Sequence, residues 1–406
     1  MSLHIENEAA RCLNCKVPMC QKGCPVSTPI PQVIGLFKEH KVMEAGKVLF
    51  ENNPLSFMCA TVCDHGSQCY GHCILGKKGI PVQFFEIEKF VSDTYLARMK
   101  YERKPATGKS VAVIGCGPAG MTAAIVLAKN GYDVTIFEAK DMIGGMTQYG
   151  IPEFRLGHPV FVRYKKLLLS LGIKVRPNTT IGGALKIEDL FRDGYSAIFA
   201  GTGAWRPRTL NIQGESLAHV HYGISYLENP SHHDLGTDVV IIGMGNVAMD
   251  VARTAFRGGA QNVTLVSNSL HATASEHEMD YTRLDGAEFV FGKSITRITE
   301  KGPMFRTVKF DEEGNATGFE DDEALMPATS VVIAVSQMPK DKLIQSTYHL
   351  EGNDAGLLVV DENYMTTREG VFAAGDVVTG PKTVVHAVDG AKKAAEAMMR
   401  YMEQKG

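Results

Sequence analysis

The chain lacks the features that mark membrane, secreted and nucleic-acid-binding proteins. No apolar run in the sequence approaches the roughly 20 residues that cross a bilayer. Residues 1–8 have neither the basic region nor the apolar core of a signal peptide. The formal net charge is only −3 and the basic residues are scattered, so nothing favours nucleic acid. We therefore expect a cytoplasmic protein whose thiols stay reduced.

The sequence is also poor in groups for acid–base or nucleophilic catalysis. We find no convincing catalytic triad and assign no catalytic residue. No cysteine follows Gly236 in the chain, which argues against a self-sufficient disulfide reductase. The composition, 44% hydrophobic and 21% charged, is ordinary for a globular protein, and 406 residues suggest two or three domains.

Cysteine is concentrated near the N-terminus instead. Eight of the nine cysteines form two sets, Cys12-x2-Cys15-x4-Cys20-x3-Cys24-Pro25 and Cys59-x3-Cys63-x5-Cys69-x3-Cys73. Helical patterns over 32–40, 42–52 and 86–100 separate and follow the two sets, and Thr28 is expected to cap the first of these helices. We call this cysteine-rich N-terminal region, residues 1–106, the head. Its short helices and cysteine loops are too small for a sizeable core, so we expect bound metal to stabilise it.

Three interpretations of the two cysteine sets compete. Two zinc sites with four thiolates each are one, because zinc accepts four cysteines. Four disulfides are another, but the reducing compartment argues against them. We favour iron–sulfur clusters, because the dense first set ends in Cys24-Pro25, as in bacterial ferredoxins. In those proteins the fourth cysteine of the run binds the other cluster.

The strongest nucleotide-binding pattern begins at residue 111. A short apolar strand over 111–114 leads into Gly115-Cys116-Gly117-Pro118-Ala119-Gly120 and then into a helical pattern. The glycines of this Gly-x-Gly-x-x-Gly fingerprint let the backbone approach a pyrophosphate at the helix N-terminus. The next strand, over 134–137, ends in Glu138, an acid placed to accept a hydrogen bond from a ribose hydroxyl.

Other polar and glycine-rich stretches follow later strands and helices of the chain. Because glycine permits close backbone approach to a ligand, we take these as further cofactor-binding candidates. They are Gly144, Gly145 and Arg155, then Gly201, Thr202 and Gly203 after a strand over 197–200, and finally Gly375, Asp376 and Thr383 around the start of a closing helix over 384–403.

A second fingerprint begins after the strand over 238–242. It reads Gly243-x-Gly245-Asn246-x-Ala248, and alanine in its third small position still allows close packing of helix on strand. The following strand ends in 267–269, Ser-Asn-Ser, with no acid for a ribose and no arginine for a 2′-phosphate. NADH and NADPH both remain open, and the missing arginine slightly favours NADH.

These motifs in this order resemble the two-dinucleotide flavoprotein reductases. With the cysteine head included, almost the whole chain resembles the small-subunit family of bacterial glutamate synthase and NAD-dependent dihydropyrimidine dehydrogenase. The resemblance implies an α/β fold, with two Rossmann-like dinucleotide-binding domains of the glutathione-reductase type preceded by an α-helical iron–sulfur domain. The implied domains are 1–106 for the clusters, 107–235 and 336–406 for FAD, and 236–335 for NAD(P)H.

The resemblance also implies the cofactors and their ligands. FAD would bind at the first fingerprint, NAD(H) or NADP(H) at the second, and two 4Fe–4S clusters in the head. One cluster would be held by Cys12, Cys15, Cys20 and Cys73, and the other by Cys24, Cys63, Cys69 and Glu88. Cys59 would then bind no metal. A solvated helix acid is the alternative for Glu88.

The implied function is transfer of electrons from NAD(P)H through FAD and the two clusters to a partner subunit. That partner, expected to be an FMN and iron–sulfur protein, would supply the organic substrate site, which makes the assembly a hetero-oligomer. The alternatives are a subunit of an electron-bifurcating NAD(P)H:ferredoxin transhydrogenase and, in another class, a zinc-stabilised binding module. The chain departs from the family in two places: at 267–269, where NADPH-using relatives carry arginines, and at Ser336, where members typically have glycine.

Overall fold

A computed structural model describes residues 3–100 and 102–405. Residues 1, 2, 101 and 406, which fall within the predicted domain ranges, lie outside the described residues. The described chain divides into two compact units, one formed by Tyr149–Pro152 and Trp205–Gln337 and the other by the remaining described residues. Among the described helices, none combines the length and the apolar character needed to cross a membrane.

The cysteine-rich head is helical, as the sequence predicts. Its helices are α1 (Leu3–Arg11), α2 (Met19–Lys22), α3 (Ile30–Lys38), α4 (Val42–Asn52), α5 (Ser56–Val62) and α6 (Phe84–Arg98), with a 3₁₀ turn at Ile74–Lys77. Phe37, Leu49 and Val91 from three of these helices pack in one core. The three predicted helices are confirmed within two residues of their ends. Thr28 does not cap α3, which begins after Pro29 without a side-chain cap.

The first nucleotide-binding fold follows the head within the same compact unit. Its elements are β1 (Ser110–Ile114), α7 (Pro118–Lys129), β2 (Asp133–Phe137), α8 (Met146–Tyr149), α9 (Pro159–Ser170), β3 (Lys174–Arg176), α10 (Ile187–Arg192) and β4 (Tyr195–Ala200). Four of the five β1 residues are buried on both faces of the sheet, as in a parallel sheet covered by helices.

The second unit contains a second parallel sheet and an antiparallel one. Its elements are β5 (Arg206–Pro207), β6 (Val220–Tyr222), α11 (Gly223–Glu228), β7 (Asp238–Ile242), α12 (Asn246–Arg257), β8 (Asn262–Val266), α13 (Glu276–Leu284), β9 (Glu288–Val290), β10 (Lys293–Thr299), β11 (Gly302–Phe310), β12 (Ala316–Phe319), β13 (Ala324–Leu325) and β14 (Ser330–Ile333), with a 3₁₀ turn at Pro230–His232. The parallel sheet has the order β6-β14-β7-β8-β9.

The chain then completes the first sheet. The last elements are β15 (Gln337–Met338), α14 (Lys342–Ser346), β16 (Val371–Ala373), α15 (Asp376–Thr379) and α16 (Val384–Gln404). The first sheet has the order β16-β4-β1-β2-β3, and all of its strands are parallel. α16 packs on α7, and its buried residues include Val385, Val388 and Met398.

The largest difference between the compact units and the predicted domain ranges is at the start of the second unit. The main segment of the second unit begins at Trp205, whereas the sequence predicts that the nucleotide domain begins at 236. The physical reason is β6, whose residues pair with β14 in the second sheet, Val220 with Val331 and Tyr222 with Ile333. The segment before 236 therefore contributes an edge strand to this sheet.

Candidate functional site

Three glycines bring the backbones of β1, α7 and β4 into direct contact. Gly115 has a positive φ of 96°, and a Cβ built on it would lie 2.5 Å from the carbonyl oxygen of Gly201. A Cβ on Gly120 would overlap the carbonyl oxygen of Gly115. These glycines are needed for the packing of helix on strand and not only for a ligand.

Gly117 has a different environment. Its φ of −76° is allowed for any residue, and a Cβ there would come no closer than 3.8 Å to the Cα of Gly145. A Cβ on Gly145, by contrast, would lie 2.7 Å from the Cα of Gly117. The Gly144 N–H donates to the carbonyl oxygen of Cys116 at 2.8 Å, which holds this second glycine loop against the fingerprint.

The N-terminus of α7 is built to receive an anion. Pro118 is the first helical residue, Ala119 and Gly120 follow, and the N-cap residue Gly117 offers no side-chain cap. The first N–H groups of a helix, together with its dipole, favour negative charge. The cradle formed by the two glycine loops therefore fits a dinucleotide pyrophosphate.

Glu138 lies at the end of β2 and is only 6% exposed. Its carboxylate accepts hydrogen bonds from the N–H groups of Cys116 at 2.6 Å and Lys140 at 2.7 Å. Burial raises the pKa of this carboxyl group, while these backbone N–H groups act in the opposite direction. A carboxylate has about four acceptor positions, so two bonds leave capacity for a ribose hydroxyl.

The late Gly375-Asp376 stretch meets the same helix end. Gly375 has a φ of 79°, and a Cβ on it would lie 3.0 Å from the Cβ of Ala119. Asp376 accepts a hydrogen bond from the Lys382 N–H at 3.1 Å, and burial raises its pKa to about 6. Thr383 is the N-cap residue of α16, and its hydroxyl lies 2.7 Å from His386 Nδ1.

The remaining first-fingerprint candidates occupy loops. Gly203 has a φ of 69° in the loop after β4, where it follows the half-buried Thr202. Arg155 is half-buried in the irregular segment between α8 and α9. The structure thus brings Gly115, Gly117, Ala119, Gly120, Gly144, Gly145, Gly201 and Gly375 together at one end of β1 and α7.

The second fingerprint repeats the backbone packing of the first. Gly243 has a φ of 127°, and a Cβ there would overlap the carbonyl oxygen of Ala334. Ala248 is fully buried at the start of α12. A Cβ on Gly245 would lie 3.3 Å from Thr273 Oγ1, and Asn246 Oδ1 accepts the Ser275 N–H at 2.9 Å.

Residues 273–275 lie against this fingerprint although no glycine pattern in the sequence marks them. The N–H groups of Thr273 and Ala274 both donate to the carbonyl oxygen of Met244 at 3.0 Å. Ser275 is the N-cap of α13 and accepts the Glu278 N–H. The Ser-x-x-Glu spacing of a helix start is the one signal in the sequence that could have located the end of this segment.

The end of β8, where nucleotide specificity is expected, carries short hydroxyl side chains. Ser267 Oγ accepts the Ser269 N–H at 3.1 Å, and Ser269 Oγ accepts the His271 N–H at 3.2 Å. Arg253 is buried and bonds Glu278 and Asp285, each at 3.1 Å. Its guanidinium is thus held by two carboxylates.

In the head, Cys12, Cys15, Cys20 and Cys73 line one cavity, together with Cys69. Burial, together with the neighbouring thiols of Cys73, Cys12 and Cys15, raises the pKa of Cys20 to about 11. All nine cysteines are free thiols. The four cysteines that the resemblance assigns to one cluster are therefore neighbours in the fold.

The other donors form a second, more deeply buried group. Burial, Glu88 and Cys24 raise the pKa of Cys69, and Cys59 and Glu88 are among the neighbours that raise the pKa of Cys63. Glu88 is only 6% exposed, so it is not a solvated helix acid. Burial, followed by the charge of Cys59, raises the pKa of Glu88 well above its usual value.

Cys59 is an immediate neighbour of this second group of donors. It is buried in α5, and its neighbours Cys63 and Asn53 lower its pKa against the effect of burial. Among residues 3–100 and 102–405, no three His, Cys, Asp or Glu side chains are placed to hold a single metal ion. A four-iron cluster separates its ligands by iron and sulfide, so it requires a wider spacing than one ion does.

A hydrogen-bonded connection links the second group to the first nucleotide-binding fold. Cys24 Sγ lies 3.2 Å from Thr28 Oγ1, which also donates to Asn52 Oδ1 at 3.3 Å. Lys392 of α16 donates through Nζ to the carbonyl oxygen of Asn52. Tyr164 of α9 is buried as well and donates to the carbonyl oxygen of Pro54 at 3.3 Å.

Comparison with known proteins gives two family matches. Residues 109–391 match the family described as pyridine nucleotide-disulphide oxidoreductase. The chain belongs to this family. Residues 2–100 of this oxidoreductase match dihydropyrimidine dehydrogenase domain II, 4Fe–4S cluster. The second match favours iron–sulfur over zinc in the head and indicates a 4Fe–4S cluster there.

Relatives match over nearly the whole chain. This oxidoreductase is 32% identical over 434 residues to the glutamate synthase (NADPH) small chain of Azospirillum brasilense, covering 98% of this chain and 89% of that one. It is 30% identical over 405 residues to the NAD-dependent dihydropyrimidine dehydrogenase subunit PreT homolog of Salmonella typhi, covering 98% and 94%. The expected family resemblance is confirmed.

The fold prediction is confirmed as well. Mycobacterium tuberculosis FprA in complex with NADPH matches with a TM-score of 0.61 at 17% identity, covering 74% of this chain and 85% of that one. At this identity the match speaks for the fold alone. The family matches and the relatives identify the chain as an NAD(P)H-dependent flavoprotein oxidoreductase with an iron–sulfur head.

Proposed function

We propose that this oxidoreductase is the NADH-oxidising electron-transfer subunit of a larger enzyme of the glutamate synthase or dihydropyrimidine dehydrogenase type. The main observation in support of this proposal is that the cysteines and Glu88 form two groups in the same compact unit as the first fingerprint. When bound, FAD accepts the hydride of the nucleotide and yields its electrons singly, and each cluster carries one electron at a time.

The first fingerprint is the FAD site in this proposal. Gly117 and Gly145 have no side chains that would block the approach of the pyrophosphate to the backbone. The N-terminus of α7 stabilises the negative charge of the pyrophosphate. Glu138 holds the adenosine ribose, and Asp376 approaches the ribityl or pyrophosphate region. The surrounding positions are Gly115, Pro118, Ala119, Gly120, Gly144, Arg155, Gly201, Thr202, Gly203, Gly375 and Thr383.

The second fingerprint is the nicotinamide nucleotide site. Gly243, Gly245, Asn246 and Ala248 form the turn and helix start that receive the pyrophosphate. A 2′-phosphate is best recognised by a guanidinium fork, and the segment 267–269 contains no arginine. We therefore propose NADH as the preferred donor.

The proposed cluster ligands follow the two groups in the head. Cys12, Cys15, Cys20 and Cys73 hold one 4Fe–4S cluster, and Cys24, Cys63, Cys69 and Glu88 hold the other. A buried carboxylate is costly unless it is paired or binds a metal, and iron at Glu88 would offset that cost. Cys59 then lies beside Cys63 without binding iron.

The partner subunit completes the proposal. The names of the relatives describe a small chain and a subunit, which supports a hetero-oligomer with a catalytic partner. An FMN and iron–sulfur protein that carries the organic substrate site is the proposed acceptor, and the cytoplasm is the proposed location. We assign no catalytic side chain, because the proposed reaction moves electrons between bound groups.

Metal and flavin analysis of the purified chain tests this function. We expect one FAD and about eight iron and eight sulfide atoms per chain, and bleaching of the flavin absorbance by NADH under argon. A colourless protein with zinc would support the binding module instead. Reduction of a low-potential ferredoxin that requires a second, high-potential acceptor would favour the bifurcating transhydrogenase.

A further inference from the structure

The loops around the first cysteine group expose an unusual number of large apolar side chains. Leu13, Val17, Met19, Ile74 and Ile80 are each at least 40% exposed. Leu13, Met19 and Ile74 line the same cavity as the first cysteine group. Isolated exposed apolar residues are ordinary on a protein surface, but a contiguous patch of them marks an interaction site.

Leu13, Met19 and Ile74 of this patch line the cavity that contains the first cysteine group. All four cysteines of that group are partly exposed, whereas the second group combines the partly exposed Cys24 and Cys63 with the buried Cys69 and Glu88. An electron that leaves the chain must do so where a redox group comes close to the surface. The first group offers that position, and the patch forms its rim.

The two cysteine-containing segments around this patch carry only basic charged side chains. Residues 9–24 and 65–82 contain Arg11, Lys16, Lys22, Lys77 and Lys78 and no aspartate or glutamate. The four lysines are exposed, and Arg11 bonds Glu8 at 2.8 Å. The loops are therefore basic in a chain whose formal net charge is −3. A basic rim around an apolar centre favours, and orients, a partner with carboxylates around its own redox group.

We infer that this apolar, lysine-rimmed surface docks the acidic face of the protein that accepts the electrons. The inference rests on the proposed function. For each NADH oxidised to NAD⁺ and one proton, two electrons leave at this surface one at a time and reduce the redox groups of the partner subunit; with a one-electron probe protein they reduce two molecules. Apolar contact brings the two redox groups close, and the lysines set the encounter rate.

Cytochrome b5, an acidic one-electron protein, serves as the probe acceptor. NADH and the holoprotein are mixed with oxidised cytochrome b5 under argon, and haem reduction and flavin bleaching are recorded together. The double variant Lys77→Glu/Lys78→Glu should slow haem reduction at least tenfold at low salt and abolish its decrease with rising salt. Leu13→Asp should slow it as well. Basic cytochrome c should respond to the lysine changes in the opposite direction.

The matched control is Lys165→Glu/Lys166→Glu, an adjacent exposed pair on α9 with the same change of charge. It should reduce cytochrome b5 at the parental rate. Equal haem reduction by the parent and Lys77→Glu/Lys78→Glu, with normal flavin bleaching in both, would overturn the docking surface. Absent flavin bleaching in the parent would instead contradict the proposed function. In that case, calorimetry of oxidised cytochrome b5 binding without nucleotide tests the docking surface independently of the proposed function. Only the patch variants should weaken this binding.

Discussion

Gly117 and Gly145 face each other, and the contact is asymmetric. A side chain on Gly145 would collide with the backbone of Gly117, whereas a side chain on Gly117 would meet the protein only at van der Waals distance, 3.8 Å. The space beside Gly117 is therefore available for a ligand. This asymmetry separates the effect of a substitution on ligand binding from its effect on the fold.

Gly117→Val should lose FAD while keeping the fold. The new side chain fills the proposed position of the pyrophosphate, and the φ of −76° suits valine. FAD content after purification, measured by absorbance, should fall to a small fraction of the parental value with unchanged far-ultraviolet dichroism. Gly120→Ala is the contrasting variant, because its Cβ overlaps the carbonyl oxygen of Gly115 and should cost about 1–3 kcal/mol of stability. Full FAD occupancy in Gly117→Val would show that the FAD site is misassigned.

NADH should reduce the flavin at least as fast as NADPH. No arginine stands at 267–269, and both Arg253 and Arg283 already bond carboxylates, Arg283 with Asp280 at 3.1 Å. Stopped-flow bleaching with each nucleotide measures the preference. Ser269→Arg should improve the rate with NADPH by lowering its apparent dissociation constant. A parent that strongly prefers NADPH would place 2′-phosphate recognition outside this segment.

Glu88 and Cys59 should respond differently to substitution. Glu88→Ala should lower the iron content or change the paramagnetic spectrum of one reduced cluster, because a carboxylate is a harder ligand than a thiolate. Cys59→Ser should keep the iron content near that of the parent. Cys63→Ser provides the reference for loss of a whole cluster. Iron loss in Cys59→Ser with none in Glu88→Ala would invert the ligand assignment while keeping two clusters.

Thr28 should set the reduction potential of the cluster at Cys24. Its hydroxyl proton has two acceptors, Cys24 Sγ at 3.2 Å and Asn52 Oδ1 at 3.3 Å, and a metal-bound thiolate favours the bond to sulfur. Hydrogen bonds to cluster sulfurs stabilise the reduced state. Thr28→Val, which keeps the shape, should lower one potential in a redox titration followed by paramagnetic resonance, and Thr28→Ser should restore it. An unchanged potential in Thr28→Val would remove this role.

Ser336→Gly should stabilise the protein. Ser336 has a φ of 91°, which is unfavourable for any residue with a Cβ and favours the glycine that the family resemblance leads us to expect at this position. Relief of the strain, less the entropy that glycine loses on folding, should gain up to about 1 kcal/mol. Urea unfolding measures the change. Ser336→Ala is the control, because it keeps the Cβ and should show no gain; an equal gain in both would assign the effect to the hydroxyl.

The sequence predicts those parts of the site that need a particular residue type. Gly115 and Gly243 must adopt positive φ against a carbonyl oxygen, so glycine appears at both fingerprints and reveals them. Thr273 and Ser275 contact the second fingerprint through their backbone N–H groups, and Ser275 also caps α13. Many residue types can make such contacts, so the sequence does not reveal them. The three-residue strand β6 escapes prediction for a related reason, since its place depends on pairing with a distant strand.

Burial is equally hard to predict from sequence. An acid on a helix is usually solvated, and only the packing of α5 and α6 shows that Glu88 is enclosed beside Cys59 and Cys63. Thr28 illustrates the same difficulty. Its position before α3 suggests a cap, whereas the folded chain turns its hydroxyl towards Cys24 and Asn52.

The contacts of Tyr164 and Lys392 with the head have a consequence for dissecting the chain. Residue 106 is the predicted end of the head, but the head and the first nucleotide-binding fold belong to one compact unit. Tyr164 of α9 and Lys392 of α16 donate hydrogen bonds to the carbonyl oxygens of Pro54 and Asn52 in the head. A fragment that ends at 106 would expose the surface that covers Glu88 and Cys59. The iron–sulfur head of this enzyme is therefore not a transplantable module, and an iron–sulfur cluster in it would keep its native surroundings only in a chain that retains the first nucleotide-binding fold.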